Sequence, residues 1–230
     1  MIKLLDHGYV RLVSHTKPAG EVGYYWTGDQ EIIRNARVSY GNDGEVRTID
    51  QDKKLIDYLY KNRHTSPFEA MVFTFEVKAP IFVFRQWHRH RTWSFNEISA
   101  RYVELPSEYY VPDKLYLQGN GNKQMSSQET LDDFTNDHLL FLMEVQNTGA
   151  FDLYEELIKT GVSRELARTV LPVATYSRMF CTVDLHNLFN FCRLRDHDHA
   201  QPEIRVYAKA MLELVEPIVP MSVDAYRRFT

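Results

Sequence analysis

Residues 71–78 read M-V-F-T-F-E-V-K, and their alternation constrains the fold more than any other segment. Met71, Phe73, Phe75 and Val77 take turns with Val72, Thr74, Glu76 and Lys78. A period of two sends the two sets to opposite faces, so the segment reads as a strand. Few other segments read this way. Residues 2–13 form a first strand candidate. Helical signals dominate the rest: 29–39 with Asp29 as a cap candidate, and 50–62 behind Asp50, with Leu55, Ile56 and Leu59 on one face. Another helix is predicted from Pro80 through about Arg91. Leu131, Phe134, His138, Phe141 and Val145 recur at helical spacing, and Gly149 and Gly161 punctuate two further helical pieces. Residues 163–171 form a short helix stopped by Pro172. Residues 184–196 form another, and Pro202 opens a last long one. Polar, Gly-rich stretches at 41–48 and 113–129 read as loops, the second a mobile surface loop. Without regular β-α-β alternation, this pattern predicts an α+β fold rather than a doubly wound sheet, with residues 1–230 as one domain.

Composition narrows the function classes. Hydrophobic residues make up 44% of the 230, enough for a sizeable core. The net charge of -4 argues against a general nucleic-acid coat or a polybasic membrane binder. The N-terminal MIKLLDHGYVRLV does not read as a signal peptide, and no apolar run approaches the roughly 20 residues that span a bilayer. Two cysteines, Cys181 and Cys192, make no disulfide framework. A reducing, cytoplasmic setting is therefore expected. Cys192 falls on the apolar stripe of the 184–196 helix, and neither thiol has an activating neighbour pattern, so covalent cysteine catalysis is not expected.

Against this acidic background, Arg85–Tyr102 concentrates four arginines, two histidines and one carboxylate. Arginine grips phosphate or carboxylate in a bidentate manner. Glu97, Ser94, Ser99 and Asn96 can hydrogen-bond a heterocycle. The run points to a phosphorylated, base-containing small molecule, although a solvated basic face is the plainer alternative. No G-x-G-x-x-G or P-loop occurs, so a dinucleotide would not be held in the Rossmann manner. A second cluster, R-L-R-D-H-D-H-A-Q at 193–201, reads as a basic helix end followed by a loop, or as an arginine aimed at a substrate. Asp196, His197, Asp198 and His199 could instead be metal ligands; no metal is expected, because alternating residues on a loop rarely converge without a distant third ligand. His64, Ser66 and Glu69 in H-T-S-P-F-E either line a pocket or form a plain turn.

Arg89-His90-Arg91, seven residues, then Ser99 resembles the R-H-R-x7-S signature of the flavin-dependent thymidylate synthases. A-R-V-S at 36–39, H-T-S-P-F-E at 64–69, F-T-F-E-V-K-A-P-I-F-V at 73–83, A-R-T-V-L-P at 167–172 and L-R-D-H-D-H-A-Q at 194–201 are similar to that family in the same order. The resemblance implies methylation of dUMP to dTMP, with carbon from 5,10-methylenetetrahydrofolate and hydride carried by FAD after reduction by NADPH. It implies a homotetramer with active sites shared between subunits. The expected architecture is a central, mostly antiparallel sheet with surrounding helices.

Carried over by position, Ser39, His64, Ser66, Arg89, His90, Arg91, Glu97, Asp184, His186 and Asn190 would contact FAD. Gln86, Trp87, His88, Arg89, Glu97, Ile98, Ser99, Ala100, Arg101, Arg168 and Arg195 would hold dUMP. Arg195 would be the activating residue, stabilising negative charge on the uracil; a fixed cation beside a developing anion lowers a barrier and makes a thiol nucleophile unnecessary. Ser99 then reads as a ligand contact rather than a nucleophile. Ala100 stands where some members carry Gly, and Asp184 and His186 where some carry Asn and Arg. Two other classes remain: a non-catalytic nucleotide-binding module, and a metal-dependent phosphohydrolase built on residues 196–199.

Overall fold

The structure, a computed structural model, describes residues 1–19, 26–41, 47–119 and 126–230. Its centre is a five-stranded antiparallel sheet in the order β1-β2-β3-β7-β4. The strands are β1 (Ile2–Leu4), β2 (Gly8–His15), β3 (Val72–Pro80), β4 (Ser94–Glu97) and β7 (Tyr176–Asp184). The expected α+β class and antiparallel sheet are both present. The alternation at 71–78 does what it predicts: Phe73, Phe75 and Val77 are wholly buried and sit opposite Val183, Cys181 and Met179 of β7. These pairs are the floor of a core that runs from Val10 to Tyr226. The other face of β3 is not simply wet. Glu76 is buried there because Tyr9 and Arg11 of β2 and Arg178 of β7 donate to its carboxylate, at 2.7, 2.5 and 3.2 Å.

Most of the helices cover the core face, while the two that carry Phe151, Tyr154 and Ala167 build a second, smaller core. The helices are α1 (Gly28–Val38), α2 (Ile49–Lys61), α3 (Ser66–Glu69), α4 (Ile81–Trp87), α5 (Asp133–Lys159), α6 (Arg164–Ala167), α7 (Leu185–Arg195), α8 (Pro202–Val215) and α9 (Pro220–Phe229). A small hairpin, β5 (Tyr116–Gln118) with β6 (Ser126–Thr130), stands apart from the main sheet.

Several boundaries differ from the sequence reading, each for a physical reason. The 2–13 segment is a hairpin, not one strand: Leu5 adopts φ 55 and the chain doubles back at Gly8. Gly8 is required there, since a Cβ would lie 2.2 Å from Tyr207 Oη and 2.7 Å from Leu4 O. Asp29 does not cap α1. It is buried and caps α9, accepting from the backbone N–H of Met221 and Ser222 at 2.8 and 3.0 Å. Thr48, not Asp50, caps α2 through a capping box with Gln51.

The helix from Pro80 stops at Trp87, so Arg89, His90 and Arg91 lie beyond it rather than along its face. Gly149 does not interrupt α5, which runs 27 residues. The 163–171 helix is one α-turn followed by a 3-10 turn over Arg168–Val170. The 113–129 segment holds the β5–β6 hairpin rather than only loop, and residues 120–125 of that expectation, like 42–46 of the earlier loop, lie outside the described residues. β4, β7 and α9 were not foreseen.

Candidate active site

Two cavities and one bonded cluster gather most of the sequence-predicted residues. The first cavity, about 300 Å³, lies between α4, the edge strand β4 and the turn after α6. His88, Glu97, Ile98, Ser99, Ala100 and Arg168 line it, all expected substrate contacts. The fold explains the convergence. β4 pairs antiparallel with β7, placing Glu97 opposite Met179, and Ile98 donates its N–H to Arg178 O at 2.8 Å. The chain after β4 is thereby pinned across the N-terminal half of β7. Ser177, buried on β7, donates its hydroxyl to Glu97 Oε1 at 2.6 Å and fixes that carboxylate. Arg85 on α4 and Arg168 supply two cations facing this carboxylate-bearing wall, and Ile81, Phe84, Leu105 and Leu171 supply apolar surface. A cavity with an apolar floor, paired cations and a fixed carboxylate suits a phosphorylated heterocycle.

The second cavity, about 460 Å³, lies between the end of α2, α3, α7 and the end of α9. His64, His186 and Asn190 line it, three of the expected cofactor contacts. His186, Asn190 and Arg193 are four and then three residues apart on α7, one helical face. The adjoining stripe, Leu185, Leu188, Phe189 and Cys192, is buried as predicted. Asn190 Nδ2 and His186 Nε2 are 3.0 Å apart, which fixes the two side chains against each other. Tyr60, Phe68, Phe189 and Phe229 give the cavity an aromatic wall. Its charged lining residues, Lys61, Arg63 and Arg193, are all cations. That donor set fits an anionic, aromatic dinucleotide, so the residues present are compatible with FAD.

The bonded cluster joins the C-terminus of α7 to the end of α4. Arg195 donates Nε–H to His90 Nε2 and Nη2–H to Gln86 O, both at 3.0 Å. Gln86 in turn donates its amide to Gln201 Oε1. His90 packs edge-on against Phe191, ring centroids 4.9 Å apart. Burial, helped by the Arg195 charge, pulls the His90 imidazole down to about 4, and burial also lowers Arg195 from its ordinary value. Gln86 is the chain neighbour of Arg85, so the cluster abuts the first cavity.

The other expected residues lie elsewhere. The Trp87 side chain is wholly buried, stacked on Phe191 with centroids 4.7 Å apart, which leaves only its backbone to meet a ligand. The Asp184 carboxylate caps α7, taking the backbone N–H and side-chain amide of Asn187 at 2.9 and 2.7 Å. Ser39, Ser66, Arg89, Arg91 and Arg101 are exposed and line neither cavity; Arg101 pairs with Glu165 at 3.2 Å. The two cavities share no lining residue within one chain.

At 196–199 Asp196 faces Lys209 and Asp198 faces Arg205, while the His197 and His199 rings pack edge-on with centroids 4.7 Å apart; among the described residues no group of three or more His, Cys, Asp or Glu could hold a metal ion. Cys181 and Cys192 are buried, and burial pushes both thiols up, away from the reactive thiolate. Ser177, Tyr60 and Arg63 were not expected as lining residues; Arg85 and Arg193 fell within the two basic clusters but carried no assigned contact. Arg193 carries a sequence signal, the shared face with His186 and Asn190. Ser177 carries none, since it meets Glu97 only through strand pairing.

Comparison with known proteins adds identity to this geometry. Residues 21–221 match a family model described as thymidylate synthase complementing protein. A flavin-dependent thymidylate synthase of Treponema denticola is 43% identical over 228 residues, covering 98% of this chain and 81% of that protein. One from Thermus thermophilus is 47% identical over 225 residues, covering 98% and 77%. A solved structure of a UMP/dUMP methylase PolB from Streptomyces cacaoi, bound with 5-Br dUMP, superposes with a TM-score of 0.85 at 35% identity, covering 99% of this chain and 98% of that one.

Proposed function

This chain belongs to the flavin-dependent thymidylate synthase family, and from that premise we propose how it carries out the reductive methylation of dUMP to dTMP. The carbon comes from 5,10-methylenetetrahydrofolate and the reducing equivalents from NADPH by way of FAD. The observation that carries the site assignment is the first cavity, where Glu97, Ile98, Ser99, Ala100 and Arg168 meet. We assign dUMP to it. Arg168 and Arg85 would hold the phosphate, with Glu97, oriented by Ser177, and Ser99 offering hydrogen bonds to the nucleoside.

FAD, when bound, supplies the hydride. His64, His186 and Asn190 would hold it from the second cavity. Arg195 is read as the activating cation: it stays charged and is aimed by two fixed acceptors, so it can meet developing negative charge on uracil without reorganising. Phe191 and the buried Trp87 behind it back the His90 ring that accepts from Arg195. Neither cysteine takes part.

Because the two sets of residues line separate cavities of one chain, we read the working site as built between subunits, a homotetramer being the assembly that the family resemblance implies. An exposed apolar face on α5, with Phe134, Phe141 and Val145 outward, gives such an assembly a surface to bury. We read residues 1–230 as a single domain, supported by a main core that draws on residues from Val10 to Tyr226. Among the described residues no helix is long and apolar enough to cross a membrane, and a cytoplasmic location is part of the same reading.

The test is direct. The purified protein should carry a flavin absorption spectrum and form dTMP from dUMP only with NADPH and methylenetetrahydrofolate together. UMP in parallel reports whether the sugar 2′-position is discriminated. A colourless protein that cannot be loaded with FAD would favour a nucleotide-binding module instead, and activity lost to a chelator would favour the phosphohydrolase.

A further inference from the structure

Three cations line the second cavity, and the family resemblance assigned none of them. Lys61 is engaged, its ammonium 5.1 Å from the centre of the Phe229 ring. Arg63 and Arg193 are exposed and line the cavity, and neither has a carboxylate partner among the described residues. Among the described residues no carboxylate side chain lines this cavity. Two guanidinium groups facing an aromatic-walled cleft without an acidic partner make a local positive field suited to a phosphate-bearing aromatic ligand.

The backbone at Arg63 is a second, independent observation. Arg63 adopts φ 56, the left-handed region. It occupies the position just past the C-cap of α2, where Arg63 N–H bonds Tyr60 O at 3.1 Å and His64 N–H bonds Leu59 O at 2.9 Å. This pair of bonds is the Schellman motif, whose left-handed residue is usually Gly. An arginine held in a conformation that favours glycine, with its side chain lining a cleft, is the pattern expected where local strain serves a ligand.

We propose that Arg63 and Arg193 bind the pyrophosphate of the flavin adenine dinucleotide, and that they discriminate FAD from flavins lacking the adenylate half. The proposal rests on the reading of this cavity as the cofactor site. Arg63 comes from the end of α2 and Arg193 from α7, so the anion would bridge two elements that meet at the Tyr60 and Phe189 rings, centroids 5.9 Å apart.

The experiment uses the full chain freed of flavin and titrated with FAD and with FMN, following flavin fluorescence, beside a thermal melt without ligand. Arg63→Gly and Arg193→Gln should each weaken FAD binding about tenfold, the size of one lost charge-assisted hydrogen bond. FMN, which keeps one of the two phosphates, should be weakened less. Arg63→Gly should keep or raise the melting temperature, which separates a ligand role from a structural one. Unaltered FAD binding in both variants, while His186→Ala or Asn190→Ala weakens it, would overturn the arginine assignment and leave the cofactor cavity standing. Unaltered FAD binding in all four would overturn the cavity reading as well. A raised KM for NADPH with FAD binding intact would also overturn it, moving the arginines to the nicotinamide nucleotide.

Discussion

Arg195 is a hydrogen-bond donor at every working pH, so His90 must accept at Nε2 and carry its proton on Nδ1. The imidazole is thereby held neutral, down at about 4. The unfolded chain would bind one more proton at this residue between about pH 4 and 6.5, so stability should rise with pH across that window and be lost on acidification. The full shift corresponds to roughly 3 kcal/mol, reduced to about 1–2 kcal/mol by solvent screening at a partly exposed ring. His90→Gln, which keeps an acceptor for Arg195, should flatten the melting-temperature profile between pH 4 and 6.5; an unchanged acid slope would assign the loss to other groups. Arg195→Ala should lower dTMP formation at least about 100-fold with flavin still bound, as expected for loss of a fixed charge at the reacting centre. Replacing Cys181 and Cys192 together should leave turnover largely intact in whatever fraction folds. At this scale the family resemblance pointed to Arg195, Glu97, Ser99 and Arg168, and the last three line one cavity. It could not show that Trp87 faces the core or that Asp184 is spent on a helix cap, because both outcomes depend on where distant elements pack.

Among the elements, Asp29 has the most consequence per atom. It sits in α1 yet satisfies the first turn of α9, nearly two hundred residues later, with Ser222 Oγ adding a third donor at 2.6 Å. Asp29→Ala should therefore cost about 2 kcal/mol, the upper end for losing an N-cap, measured by urea unfolding. A cost below about 0.5 kcal/mol would mean that water replaces the carboxylate. From the sequence an aspartate before an apolar-periodic run reads as a local cap, and only the tertiary fold redirects it. β7 was missed for a related reason. Met179, Cys181 and Val183 do alternate, but Arg178, Phe180 and Thr182 between them blur the contrast, and the strand is defined by pairing with β3 about a hundred residues away. Gly149 misled in the opposite sense. A mid-helix glycine costs about 1 kcal/mol, too little to break a helix as long as α5.

At the scale of the whole molecule, α5 leaves Phe134 85% and Phe141 60% exposed, far more aromatic surface than a lone chain would keep in water. Phe141→Glu should shift the assembly toward smaller species in analytical ultracentrifugation and lower activity with it, while far-UV circular dichroism stays the same. A variant that keeps both its mass and its activity would remove α5 from the interface. The class of fold and the periodic faces were readable from residue order. The assembly was not, since an exposed stripe and a buried one share one sequence pattern.

Two cavities without a common residue also carry a genetic consequence. If one subunit offers the uridylate side and its neighbour the flavin side, two dead alleles need not be dead together. A chain altered at Arg168 keeps a sound second cavity, and a chain altered at Asn190 keeps a sound first one. Co-expressed, they should form hybrid assemblies in which some sites draw both intact halves, restoring growth without thymidine to cells that neither allele supports alone.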